Sequence, residues 1–220
     1  MNSTVDNKAA HPDYAVRALN PERLAAVERH AGDVVLDVGC GNGAYVLHLA
    51  DRYRIRGMDY RQFEAWKQRP ELFDVSDAQE LQLPDASVDT ILSFETLEHL
   101  PDPARALREY FRVSRKNLIL TVPNCTLTPG MRGSGMIYNH WIDRTHVNFW
   151  DMDGLCREVE AAGFKVEVRQ PINHLNLGPV AMEALGLRNS AARYGAALFR
   201  RLQRTRYPMT SLVVAVKPGA

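Results

Sequence analysis

Val34-Val35-Leu36-Asp37-Val38-Gly39-Cys40-Gly41-Asn42-Gly43 is the stretch that decides the fold. A short apolar run ends in three glycines on alternate positions, and Ala44 onward places Tyr45, Val46 and Leu49 at helical spacing. This reads as a buried strand, a tight turn and a helix. Glycines in such a turn let the backbone approach a ligand closely, and the helix start offers free N–H groups. Gly39-x-Gly41-x-x-Ala44 also satisfies the dinucleotide fingerprint. Asp37, two residues before the first glycine, argues against a pyrophosphate there. It suits a ligand that carries an ammonium and a sulfonium, by charge pairing.

Outward from this turn, strand and helix alternate. Pro21–His30 reads as a helix capped by Asn20, with Pro21 at the first helical position. Downstream, strands are expected at 55–58, closed by Asp59, at Val88–Phe94, at 118–122, at 164–168 and at 211–217, with a weak strand and turn at 73–81. Helices are expected at 44–52, 102–113 and 151–162. The pattern predicts an α/β domain, doubly wound, with a mainly parallel sheet and helices on both faces. Ligands of such sheets sit beyond the carboxyl ends of the strands. The domain is expected to run over 31–220 behind an N-terminal helical segment, 1–30, with inserted lid segments at about 124–150 and 171–207.

The 220 residues, 45% apolar, suffice for one core and are few for two domains. No apolar run approaches the ~18 residues of a membrane span. The opening residues lack an apolar leader core, so a cytoplasmic location is expected. Cys40, Cys125 and Cys156 are odd in number and far apart, which suggests neither a disulfide framework nor a zinc site.

Residues 35–43 resemble the first motif of the class I S-adenosylmethionine-dependent methyltransferases, and the resemblance extends over roughly 30–125, with a weaker echo to 168. It implies a Rossmann-like sheet of seven strands with an antiparallel last strand, and S-adenosyl-L-methionine as cofactor. Asp59, 22 residues after Asp37, is similar to the acidic residue that holds both ribose hydroxyls in this family. Asp77-Ala78 is similar to the segment that reads adenine: a carboxylate accepts from the exocyclic amine and the next amide donates to the ring. Val88–Phe94 with Glu95-Thr96-Leu97-Glu98-His99-Leu100 resembles the fourth strand and its loop, and Leu120-Thr121-Val122-Pro123-Asn124 the fifth. The cofactor contacts so implied are Asp37, Gly39, Cys40, Gly41, Asp59, Tyr60, Asp77, Ala78 and Phe94. Residue by residue, Asp59 also reads as a helix cap, Asp77 as a turn residue, and Glu98 with His99 as a cap or pair at a helix start.

The acceptor platform is expected at 139–150, where two His, one Asp, one Arg and three aromatics fall within 12 residues. A hydroxyl acceptor must lose a proton, and His146 or His140 is the candidate base. The other reading gives these side chains to backbone hydrogen bonds and to plugging the sheet. His140 and His146 also have a metal-pair spacing, but no third ligand is evident, so no metal site is assigned. No Asn-Pro-Pro-Tyr motif follows the fourth strand, which disfavours amino-group methylation of adenine or glutamine.

Charge is uneven. The chain carries net +1, yet seven basic residues and no acidic one follow Glu183, so residues 1–183 carry −6. An acidic catalytic part is a poor match for nucleic acid. Residues 191–203 form an amphipathic pattern, with Ala191, Tyr194, Leu198 and Leu202 opposite Arg193, Arg200 and Arg204. It reads as a mobile cover over the acceptor site with its arginines outward, as a contact with anionic lipid or a phosphorylated acceptor, or as a protein interface. The expected function is methyl transfer to a small-molecule or glycan/lipid-linked acceptor at oxygen. The alternative is a non-catalytic S-adenosylmethionine-binding sensor or partner protein.

Overall fold

The computed structural model describes residues 19–135, 141, 143–203 and 207–219. Helix α1 (Pro21–His30) begins as the sequence dictates, with Asn20 Oδ1 accepting from Arg23 N at 2.9 Å and Pro21 in the first turn. There follow β1 (Val34–Val38), α2 (Ala44–Leu49), β2 (Arg54–Asp59), β3 (Phe73–Val75), β4 (Val88–Phe94), α3 (Pro103–Val113) and β5 (Ser114–Pro123). Then come α4 (Pro129–Ser134), α5 (Met152–Ala161), β6 (Lys165–His174), α6 (Gly178–Ala184), α7 (Asn189–Leu202) and β7 (Pro208–Val216).

The seven strands lie in the order β3-β2-β1-β4-β5-β7-β6. The first five run parallel, and β7 is antiparallel to both neighbours, β5 and β6. Chain order reverses between β1 and its neighbours β2 and β4, so a crevice opens at their carboxyl ends. Every residue of β4 is buried, as a parallel strand covered on both faces requires. Alternate residues feed two cores. Leu36, Val38, Leu118, Leu120 and Val122 pack with Leu107 and Tyr110 of α3 on one face. Val35 and Ile119 pack with Val27 of α1 and Val46 and Leu49 of α2 on the other.

Several boundaries differ from the sequence reading. Helix α2 stops at Leu49, short of 52. Strand β6 runs to His174 because it pairs with β7 as far as Pro208, so the insertion between them starts later than 171. Segment 124–150 contains a short helix, α4, capped by the Thr128 hydroxyl.

Helices α6 and α7 spring from the ends of β6 and β7, on the side where the parallel strands end, since Pro123 of β5 pairs with Thr210 near the start of β7. Here the amphipathic reading needs correction. Tyr194, Leu198 and Leu202 are exposed, and Tyr194 most of all, at 79%. The inward side of α7 carries small residues instead, with Gly195 against Met182 Sδ and Ala196 against Gly178. Small residues let two helix backbones close up, which leaves the larger apolar ones uncovered.

Candidate active site

The glycine turn is clamped from several sides. Gly39 N and Cys40 N both donate to Met58 O, at 2.8 and 3.0 Å, which ties the turn to β2. Gly41 N donates to Asp59 Oδ2 at 2.8 Å, and Gly41 O accepts from Trp66 Nε1 at 2.8 Å. Gly39 and Gly41 have φ of +75° and +54°, where other residues are strained. A Cβ on Gly39 would come within 2.2 Å of Thr96 Oγ1, whereas one on Gly41 would meet nothing within 4 Å. Gly41 therefore borders open space, as a ligand-facing glycine must.

Asp37, the next-to-last residue of β1, is almost fully buried, at 2% exposure. Burial, and then the charge of Asp59, push its carboxyl up to about 7, against a partial offset from Arg23. Asp59 is also raised, by burial, although the backbone amides of Gly41, Tyr60 and Arg61 favour its charged form. Its Oδ1 is buried with no hydrogen-bond partner within reach. Two carboxyls thus sit in a poorly solvated place, and a cationic occupant would relieve both. Cys40 beside them has its thiol raised by burial and by both acids, so it stays a neutral packing group.

The remaining expected contacts lie at the same ends of neighbouring strands. Tyr60 directly follows β2 and is exposed, with the Arg61 guanidinium 5.5 Å from its ring. Asp77 and Ala78 follow β3, and Asp77 Oδ1 already accepts from Gln79 N at 2.8 Å, the local turn its residue type favours. Phe94 ends β4, buried, 4.9 Å from the Tyr45 ring.

Four residues at this site were given no individual role in the sequence, although Glu95 and Thr96 lie in the loop expected after β4. Trp66 is buried and stacks on Phe73 at 4.9 Å while holding Gly41 O. Arg23, 7% exposed, donates to Glu95 Oε1 at 2.5 Å and lies over Phe94. Glu95 holds φ of +55°, a conformation costly for a non-glycine residue and kept at functional sites by surrounding contacts. Thr96 closes the gap between β4 and the turn by donating to Val38 O at 3.3 Å. No local signal marks Arg23, because its partner lies 72 residues away.

The expected acceptor platform is laid on the turn Leu97–His99, just after β4. Val147 N and Asn148 N donate to Glu98 O, and Asn148 Nδ2 donates to Leu97 O and Leu100 O. Trp150 bridges Asn124 at the exit of β5. The loop is therefore laid across the ends of β4 and β5. The His146 side chain is largely buried, its ring 4.7 Å from that of His99 and its Nε2 3.6 Å from Asp143 Oδ2. For Asp143, burial is outweighed by hydrogen bonds from Thr145 and by the two nearby imidazoles, which lower its carboxyl pKa. Trp141 and Phe149 stack at 4.9 Å and 7° and are partly exposed. His146 thus faces the protein interior, beside Glu98 and His99. His140 lies outside the described residues.

A family model described as a methyltransferase domain matches residues 36–122. The chain is 32% identical over 185 residues to a Mycolicibacterium smegmatis protein named "Probable S-adenosylmethionine-dependent methyltransferase", with 80% of this chain and 65% of that one covered. It is 29% identical over 140 residues to the 27-O-demethylrifamycin SV methyltransferase of Amycolatopsis mediterranei, covering 58% of this chain and 52% of that one. The chain thus spans less than two thirds of either relative. The crystal structure of the cyclase SpnF superposes with a TM-score of 0.59 at 21% identity, over 90% of this chain and 80% of that one. That likeness shows the fold alone.

Proposed function

We propose, from the premise that this chain belongs to the class I S-adenosylmethionine-dependent methyltransferase family, that it moves a methyl group to an oxygen of a small-molecule or glycan/lipid-linked acceptor. The observation that carries the reading is the buried pair Asp37 and Asp59 beside an open glycine turn. Bound S-adenosylmethionine supplies a methyl already activated by the positive sulfur, so the protein's work is to position the reactants and keep water out. Asp37 suits the ligand's ammonium. Asp59 Oδ1 suits a ribose hydroxyl, while Oδ2 keeps the Gly41 amide in place. Tyr60, Asp77, Ala78 and Phe94 complete the adenosine end.

On the acceptor side His146, held at the ends of β4 and β5, takes the proton of an acceptor hydroxyl. The aromatic pair Trp141 and Phe149 and the exposed apolar side of α7 favour an acceptor with a sizeable apolar part, and the arginines beside them favour an anionic lipid surface as the place to meet it. The relative from Amycolatopsis, whose name gives an O-demethylated rifamycin as its substrate, supports an oxygen acceptor. Isothermal titration calorimetry with S-adenosylmethionine, then transfer of labelled methyl into fractionated extract, tests the reading. Absence of cofactor binding by the folded protein would overturn it. Binding without turnover in any fraction would favour the sensor alternative.

A further inference from the structure

Among the described residues, Glu98, His99 and His146 bring one carboxylate oxygen and two ring nitrogens within 4.8 Å of one another. We infer that these three side chains form a divalent transition-metal site at the acceptor end of the sheet. The donor set is two imidazoles and one carboxylate, which suits zinc and its neighbours and leaves coordination positions open.

The geometry gives three independent reasons. First, His99 Nδ1 lies 3.2 Å from Thr145 O. A carbonyl only accepts, so Nδ1 carries a proton, and in the neutral ring Nε2 keeps its lone pair. That lone pair faces Glu98 Oε1 at 3.9 Å, too long for a hydrogen bond. Two electron-rich atoms held so close favour a cation between them. A backbone carbonyl that fixes a tautomer in this way is the usual outer partner of a metal-binding imidazole.

Second, Glu98 is 1% exposed, and its main-chain oxygen takes amide donors from Val147 and Asn148. Those bonds hold the loop that carries His146 against the turn that carries Glu98 and His99. The ligands are therefore pre-positioned by backbone structure and need no large movement. Third, Asp143 Oδ2 stands 3.6 Å from His146 Nε2, while its other oxygen takes both Thr145 donors. It is placed either to join the cation or to add negative charge around it.

The cluster also sits where a cation would be useful. Thr96 of the same loop touches the glycine turn, and Glu98 and His99 follow within three residues. An open coordination position there suits an acceptor hydroxyl, whose proton is lost more easily beside a divalent charge. With His146 ligated in place of its role as base, the hydroxyl proton would pass to solvent, and the oxygen would form its bond to the methyl carbon as the carbon–sulfur bond breaks, leaving a neutral thioether. This use of the site rests on the methyl-transfer reading. The site itself rests on the cluster alone.

The test is a titration of the metal-stripped full chain with Zn²⁺ by calorimetry, and with Co²⁺ by its visible absorption, with and without S-adenosylmethionine. One equivalent is expected, with a Co²⁺ spectrum of imidazole and carboxylate ligation. Glu98→Gln keeps the shape of the side chain, and His99→Ala removes a partly exposed ring. Each should abolish the one-equivalent phase, with folding verified by thermal melting. Asp143→Asn should weaken it by about tenfold. No saturable binding to the wild-type chain would overturn the site, as would unchanged binding in both Glu98→Gln and His99→Ala. Should the methyl-transfer reading alone fail, the metal titration would stand while cofactor binding is absent.

Discussion

Cofactor affinity should depend on pH through Asp37. In the empty site its carboxyl is raised from 3.8 to about 7, first by burial and then by the charge of Asp59. A ligand ammonium placed beside it would favour the charged form, so binding should release a proton whenever Asp37 is protonated beforehand. With a value near 7, the group is about nine-tenths protonated at pH 6 and about one-tenth at pH 8. Measured against Asp37→Asn, affinity should then rise about tenfold between those values, about 1.4 kcal/mol, until the ligand's own amine loses its proton at about pH 8 and the partner charge is gone. At pH 7 about half a proton should leave per ligand bound. Calorimetry in buffers of different ionisation enthalpy reads that number directly, and Asp37→Asn supplies the baseline with the ligand's own amine titration left in. The same shift has a stability consequence of opposite sense. A carboxyl raised on folding binds more protons in the folded state, so the empty protein loses stability as pH rises from about 4 through 7. Asp37→Asn should remove that loss, and cofactor should offset it. A pH-independent affinity from 6 to 8 with no proton release would refute the placement of Asp37 against the ligand's charge.

Further outcomes follow from the same contacts. Gly41→Val places a side chain in the open space beside the turn at a φ of +54°, and should abolish cofactor binding in calorimetry at a stability cost of about 1 kcal/mol; unchanged affinity would show that the ligand lies elsewhere. Asp59→Ala removes a charge-assisted acceptor and frees the Gly41 amide, so affinity should fall by about 1.5–3 kcal/mol, and a loss below about threefold would contradict the ribose role. Trp66→Phe keeps the ring stack and leaves Gly41 O without its donor, which should cost about 1–3 kcal/mol in urea melts and loosen the cofactor site. Tyr194→Ser with Leu198→Ser should leave the melting temperature unchanged and reduce co-sedimentation with anionic vesicles; equal sedimentation would remove the lipid-surface proposal.

The sequence by itself determined the sheet. The strand at Val34–Val38 with its glycines, and Val88–Phe94, are read correctly to the residue, because a parallel strand covered on both faces is rich in apolar residues and the turn after β1 takes positive φ at Gly39, Gly41 and Gly43. Asp37 and Asp59 stood out in the sequence as acidic residues at the ends of apolar runs, and the structure buries both. The helix cap at Asn20 was also a local signal. Only the tertiary structure decided the rest. Arg23 reaches Glu95, and Trp66 reaches Gly41 O, across chain separations that no local pattern spans. The amphipathic run in α7 correctly signalled a helix and misleadingly signalled a buried face, since the small residues beside it won the contact with α6. His146 looked like half of a pair with His140, yet its neighbours are Glu98 and His99, nearly fifty residues back in the chain. Sequence spacing limits which residues share an element. Which elements then share a site is set by the order of strands in the sheet, and here β4 beside β5 is what joins them.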